Sequence, residues 1–103
     1  DAEGALQMLV SAIDYNDYVG RMAIGRIERG GIRQNQEVMI SDYHGKKQPY
    51  KAKIVSLYQI DGLNRVQTDS AKMGDIICFS GVVDITIGDT VTAVDAVEPL
   101  EDS

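Results

Sequence analysis

Tryptophan is absent, and the 103-residue chain holds only one phenylalanine, one cysteine, one histidine and two prolines. The single cysteine, Cys78, rules out a disulfide within the chain, and a reducing, cytoplasmic setting fits. His44 and Cys78 alone cannot assemble a Cys/His zinc site, so no metal is expected. The longest apolar run, Ile76–Phe79, is four residues, too short for a transmembrane helix. The chain begins Asp1-Ala2-Glu3-Gly4, without the basic and apolar regions of a signal peptide. It also lacks an initiator methionine, as expected of a domain cut from a longer chain. Neither phosphate-binding fingerprint, GxxxxGK(S/T) or GxGxxG, occurs. His44 sits in a polar Asp-Tyr-His-Gly turn with no base partner, and the apolar neighbours of Cys78 disfavour a thiolate. No catalytic residue and no bound cofactor are expected in this chain.

β-forming residues are abundant by contrast. Ten Val, eleven Ile, four Thr, five Tyr and one Phe make 31 of the 103 residues, against five Leu. A helical domain leans the other way, toward Leu, Ala and Glu. Turn signals recur at Asp14–Asp17, Gly30-Gly31, Asp42–Gly45, Asp61-Gly62, Met73–Asp75 and Ile87–Asp89. The pattern predicts an all-β sandwich or barrel of six or seven strands.

Leu6–Ile13 places Leu6, Met8, Val10 and Ala12 on one face. Tyr18–Arg29 is the longest strand, with a bulge or bend expected near Gly20 and Gly25. Glu37–Ile40 turns Val38 and Ile40 inward. Tyr50–Gln59 reads as one strand with Lys51 and Lys53 on the opposite face from Ala52 and Ile54. Asp75–Ser80 is apolar on both faces and is expected to be covered on both. Thr90–Val94 completes the set. Residues 1–94 then form the domain. Residues 95–103, with Asp95, Glu98, Glu101 and Asp102, read as an acidic linker toward a following domain.

The formal net charge is −6, which taken alone argues against a nucleic-acid partner. Its distribution argues otherwise. Residues 21–53 carry eight bases against three acids, whereas residues 54–103 carry two against nine. Six of the acids lie in the two tails, and the body without them holds ten charges of each sign. Bases on adjacent β-hairpins can bind phosphates by counterion release whatever the total charge. The same bases can equally stand as scattered surface residues, paired with Glu28 or with the acidic half.

Three ordered blocks carry a family resemblance. Gly25-Arg26-Ile27-Glu28-Arg29-Gly30 resembles the strand and turn of the second domain of translational GTPases such as elongation factors Tu and G. Gly74-Asp75-Ile76-Ile77, followed by Phe79-Ser80-Gly81, and Ile87-Gly88-Asp89-Thr90-Val91 fall where that family has its later turns. The opening run Leu6-Gln7-Met8-Leu9-Val10-Ser11, with Asp14-Tyr15-Asn16 and Tyr18-Val19-Gly20-Arg21, is similar to the TypA/BipA branch of ribosome-associated GTPases. Met73 departs from the pattern, which usually has a smaller residue there.

The resemblance implies an antiparallel β-barrel of six to seven strands, of the translation-factor domain 2 type, lying between a GTPase domain and C-terminal domains. It implies GTP and Mg for the parent protein and none for this fragment. The implied partners are the ribosome, through small-subunit rRNA, and the protein's own neighbouring domains, with no membrane and a monomeric isolated domain. Arg29, Arg33, Lys46, Lys47, Lys51 and Lys53 become candidates for rRNA contact, and Arg21 and Arg26 for an interdomain face. Gly30, Gly31, Gly74, Asp75, Gly88 and Asp89 become turn-forming positions. The implied role is a non-catalytic module that orients the factor on the small subunit and packs against its GTPase domain. The alternative is a purely intramolecular scaffold without RNA contact. An enzyme barrel, for example a flavin-binding one, lacks a phosphate loop or a nucleophile–base pair.

Overall fold

A computed structural model describes residues 5–42, 45 and 48–94. Every regular element among them longer than a single residue is a β-strand. The strands are β1 (Gln7–Asn16), β2 (Gly20–Arg29), β3 (Gly31–Arg33), β4 (Glu37–Asp42), β5 (Tyr50–Lys53), β6 (Leu57–Asp61), β7 (Asn64–Gln67), β8 (Ser70–Lys72), β9 (Ile76–Ser80) and β10 (Asp89–Ala93). Eight form one antiparallel sheet in the order β5-β4-β10-β1-β2-β9-β6-β7, and β3 pairs with β8. The tails at 1–4 and 95–103, with the expected acidic linker, lie outside the described residues, as do Tyr43, His44, Lys46 and Lys47.

Tyr50–Asp61 joins the two sides of this sheet. β5 pairs with β4, and β6 pairs with β9. Between them the backbone is bonded on both sides. Ile54 N–H donates to Gln36 O at 3.0 Å and Asn35 N–H to Ile54 O at 2.7 Å. Val55 N–H donates to Ser80 O at 2.9 Å and Ser80 N–H to Ser56 O at 3.1 Å. One bent stretch therefore lines both β4 and β9 and closes a barrel with β10, β1 and β2. This corrects the expectation of a single regular strand over Tyr50–Gln59: the ladder changes partner at Ile54–Ser56.

The interior follows from strand alternation. Met8, Val10, Ala23, Ile27, Val38, Ile40, Leu57, Ile77, Phe79 and Val91 point inward and are buried. The two ends are plugged. Ile32 of β3 and Ala71 of β8 enter the core from one end, and Val82 and Ile85 of the loop after β9 enter from the other.

Two bulges adjust the wall. The β1–β2 register slips at Val10/Ala12 and again at Gln7/Met8. The first slip reverses the alternation, so Ile13, and not Ala12 as the period alone predicts, packs on the core. The extra residue sits on β1, opposite Gly25. A Cβ at Gly25 would collide with the Leu9 carbonyl oxygen and lie 2.9 Å from Met8 Cε.

Three other expectations shift. Tyr18 and Val19 belong to the turn, since β2 starts at Gly20. Ile76 is 39% exposed, so the outer face of β9 is covered only from Cys78 onward. β3, β7 and β8 are short strands beyond the predicted set.

Gly25→Ala is expected to lower the unfolding free energy by about 3 kcal/mol, because its new methyl group meets backbone that cannot yield cheaply. Urea denaturation checks this. A loss below about 0.5 kcal/mol would refute the close approach.

Candidate nucleic-acid interface

The bases separate into two groups on the surface. Strand pairing places Lys51, Met39, Thr92, Gln7 and Arg29 in one row across β5, β4, β10, β1 and β2. Three strands therefore stand between Lys51 and Arg29 along this row. Lys53 faces Glu37 directly across the β4–β5 ladder. Both lysines are exposed.

The second group lies at the β3–β8 plug. Arg29 and Arg33 flank the β2–β3 turn, where Gly30 holds φ +73°. Gly31, expected to share that role, is instead part of β3 and has no positive φ. Met73 N–H donates to Gly30 O at 2.9 Å, which holds β8 beside the turn. Gly31 pairs with Lys72 and Arg33 with Ser70, so Arg33 and Lys72 are diagonal neighbours on one exposed face. Lys72 was not among the predicted contacts. Its position in the acidic half of the chain hides a link that only the long-range β3–β8 pairing reveals. Arg29 is tethered from Nε to Ala5 O at 3.3 Å.

Arg26 and Arg21 lie apart from both groups. Arg26 shares an outward row with Leu9 and Ile76. Arg21 is committed at the other end of the barrel. Its Nη1 donates to Ile85 O at 2.7 Å and its Nη2 to the Tyr15 hydroxyl at 2.8 Å. The guanidinium also lies 5.5 Å from the Tyr15 ring centre. It thus staples the loop that plugs that end.

The two turn aspartates are engaged in the same way. Asp75 Oδ2 accepts from Lys72 N–H, and Asp89 Oδ2 from Thr86 N–H, both at 3.0 Å. Each follows a glycine with positive φ, Gly74 at +93° and Gly88 at +97°.

A further pair was not legible in the sequence. Arg65 Nη2 meets Asp14 Oδ2 at 2.7 Å, and Nη1 lies 3.8 Å from Cys78 Sγ. The Arg65 hydrogen bond, helped by Tyr15 N–H, lowers the Asp14 carboxyl below its ordinary 3.8. Burial raises the Cys78 thiol above its ordinary value. Among the described residues no group of three or more His, Cys, Asp or Glu side chains is placed to hold a metal. None of the described residues forms a helix long and apolar enough to cross a membrane.

A closed antiparallel barrel with plugged ends and Gly-Asp turns defines a translation-factor β-barrel domain. Residues 20–92 match the sequence profile of elongation factor Tu domain 2, and the chain belongs to that family. Over 100 residues it is 40% identical to the large ribosomal subunit assembly factor BipA of Bacillus subtilis and 43% identical to that of Escherichia coli K12. Each alignment covers 97% of this chain and 16% of the relative, so the chain spans about one-sixth of these proteins. The fold is also that found in GDP-bound aIF5B from Aeropyrum pernix, with a TM-score of 0.73 and 14% identity over 92% of this chain and 17% of that one.

The depressed Asp14 carboxyl sets a pH signature. Its contribution is full above the unfolded value near 3.8 and is lost as pH falls through the lower folded value. The stability gap between wild type and Asp14→Asn is therefore expected to be constant from pH 7 to about pH 5 and to shrink below pH 3.8. Urea midpoints measured across that range check it.

Proposed function

We propose that this chain is the non-catalytic barrel module of a ribosome-associated, GTP-binding translation factor of the TypA/BipA kind, working in the cytoplasm. GTP and magnesium belong to a domain outside this chain, because no phosphate loop occurs in its sequence. The module's role is to orient the factor on ribosomal RNA, with the small subunit as its docking partner, and to pack against the GTPase domain. The BipA relatives carry the name of large-subunit assembly factors, so contact with either subunit is the point to measure.

The grouping of Arg29, Arg33 and Lys72 on the β3–β8 ladder and its turn carries the RNA reading. Arg33 and Lys72 stand exposed on the short ladder and half-buried Arg29 stands at its turn, so the three cations offer phosphates a site on backbone held by strand pairing. Lys51 and Lys53 form a second, separate contact on β5. Lys46 and Lys47 belong to the proposal by charge alone. Arg26, beside exposed Leu9 and Ile76, suits an interdomain face of mixed character. Arg21 supports that face indirectly, by fixing the plug loop.

Charge reversal at Arg29, Arg33 and Lys72 in the full-length factor is expected to weaken ribosome binding at least about ten-fold near physiological salt and to flatten its salt dependence. Reversal at Lys51 and Lys53 is expected to have a smaller effect. Cosedimentation with separated small and large subunits measures both and identifies the subunit. Unchanged binding by both variants would overturn the RNA reading in favour of an intramolecular scaffold.

A further inference from the structure

The β6–β7 hairpin borders the barrel without belonging to its ring. Among the described residues β7 pairs only with β6. All of its residues are exposed, and Leu63 at the tip is 102% exposed. The ring of β4, β10, β1, β2, β9 and the bent strand is complete without residues 60–67, since β6 contacts β9 through Leu57, Tyr58 and Gln59.

A buried strip lies on the outside of that ring. Met22, Cys78 and Ser80 alternate with the core residues Ala23, Ile77 and Phe79 and so point outward. All three are nevertheless buried, and Cys78 Sγ lies 3.8 Å from Met22 Sδ. The hairpin reaches over them. β7 stands four places from β1 in the sheet order, roughly 19 Å along a flat sheet at ~4.8 Å per step. No arginine side chain spans that gap, yet Arg65 of β7 touches both Asp14 of β1 and Cys78 of β9. The ribbon must therefore curl back across the outer face of β9 and β2.

The hold on this ribbon is weak. A two-stranded ribbon is marginal on its own. The Arg65–Asp14 pair is 40% and 43% exposed at its two side chains, the class of ion pair that contributes least. Ser80 Oγ is buried without a hydrogen-bond partner among the described residues, so hydration of the strip offsets part of the cost of uncovering it.

We propose that residues 60–67 form a strap that peels from the barrel as a unit, latched by Arg65 on Asp14, and uncovers the Met22–Cys78 strip while the barrel stays closed. Cys78 is the reporter of this motion. The thiol has no access in the closed form, so its alkylation reads the open population directly.

Iodoacetamide labelling of Cys78, followed by peptide mass spectrometry at increasing urea, tests the proposal. The expected rate depends on urea far less steeply than global unfolding does, because opening a strap exposes little surface. Asp14→Asn and Arg65→Gln are expected to speed labelling about two- to five-fold, and Arg65→Lys to remain near wild type. Raising salt to about 1 M is expected to speed labelling of wild type and leave Asp14→Asn unchanged. Labelling with the urea slope of global unfolding, or an equal rate in wild type and Asp14→Asn, would overturn it. Asp14→Asn is a near-isosteric change at an exposed carboxylate, so the test stands even where Arg65→Gln does not fold.

Discussion

Backbone hydrogen bonding along both edges of Ile54–Ser56 holds the fold closed. Ile54 is tied to Asn35 and Gln36, while Val55 and Ser56 are tied to Ser80. A sheet of this composition left open would present two long edges rich in Val and Ile, which template pairing with other chains. The double bonding closes the ring and leaves the short strand β7 as the sheet's open edge. It also fixes the stagger of the barrel, because the same strand must meet β4 on one side and β9 on the other. The bulges in the β1–β2 ladder supply the coiling that such closure needs. Gly25 lets β1 come close enough for the bulge to form.

Closure in turn decides where function sits. The interior is filled by apolar side chains, Phe79 among them. Recognition is left to the outer wall and the two plugs. The plugs divide the work by charge. The β3–β8 plug carries Arg33 and Lys72 with Arg29 at the adjoining turn, whereas at the other end Arg21 of β2 is spent on the carbonyl of Ile85. An arginine locked to a carbonyl and a phenol is unavailable to a phosphate. One held on an exposed ladder is available.

Much of the fold was legible in the sequence. Local alternation placed the inward residues of β4 and of the first half of β1, and the Gly-Asp turns before β9 and β10 announced themselves. What escaped depended on distant pairing. The phase change that buries Ile13 in place of Ala12 requires the partner strand, because a bulge has no local signature in Val10-Ser11-Ala12. β3 and β8 are too short to show a period and exist because they pair with each other. The site was half legible for the same reason. Arg29 and Arg33 are neighbours along the chain, whereas Lys72 joins them only through the β3–β8 ladder. Arg21 looked like any exposed base, and nothing nearby in sequence points to the carbonyl of Ile85.

The tip of the β6–β7 hairpin has a consequence for how the domain can diverge. Gly62 holds φ +64° and Leu63 touches solvent on all sides, while the core begins only at Leu57. Extra residues inserted there displace no buried atom, and the entropic cost of a longer loop rises only with the logarithm of its length. The tip is therefore a point where added length, whether from divergence or from an inserted tag or reporter domain, costs the core nothing.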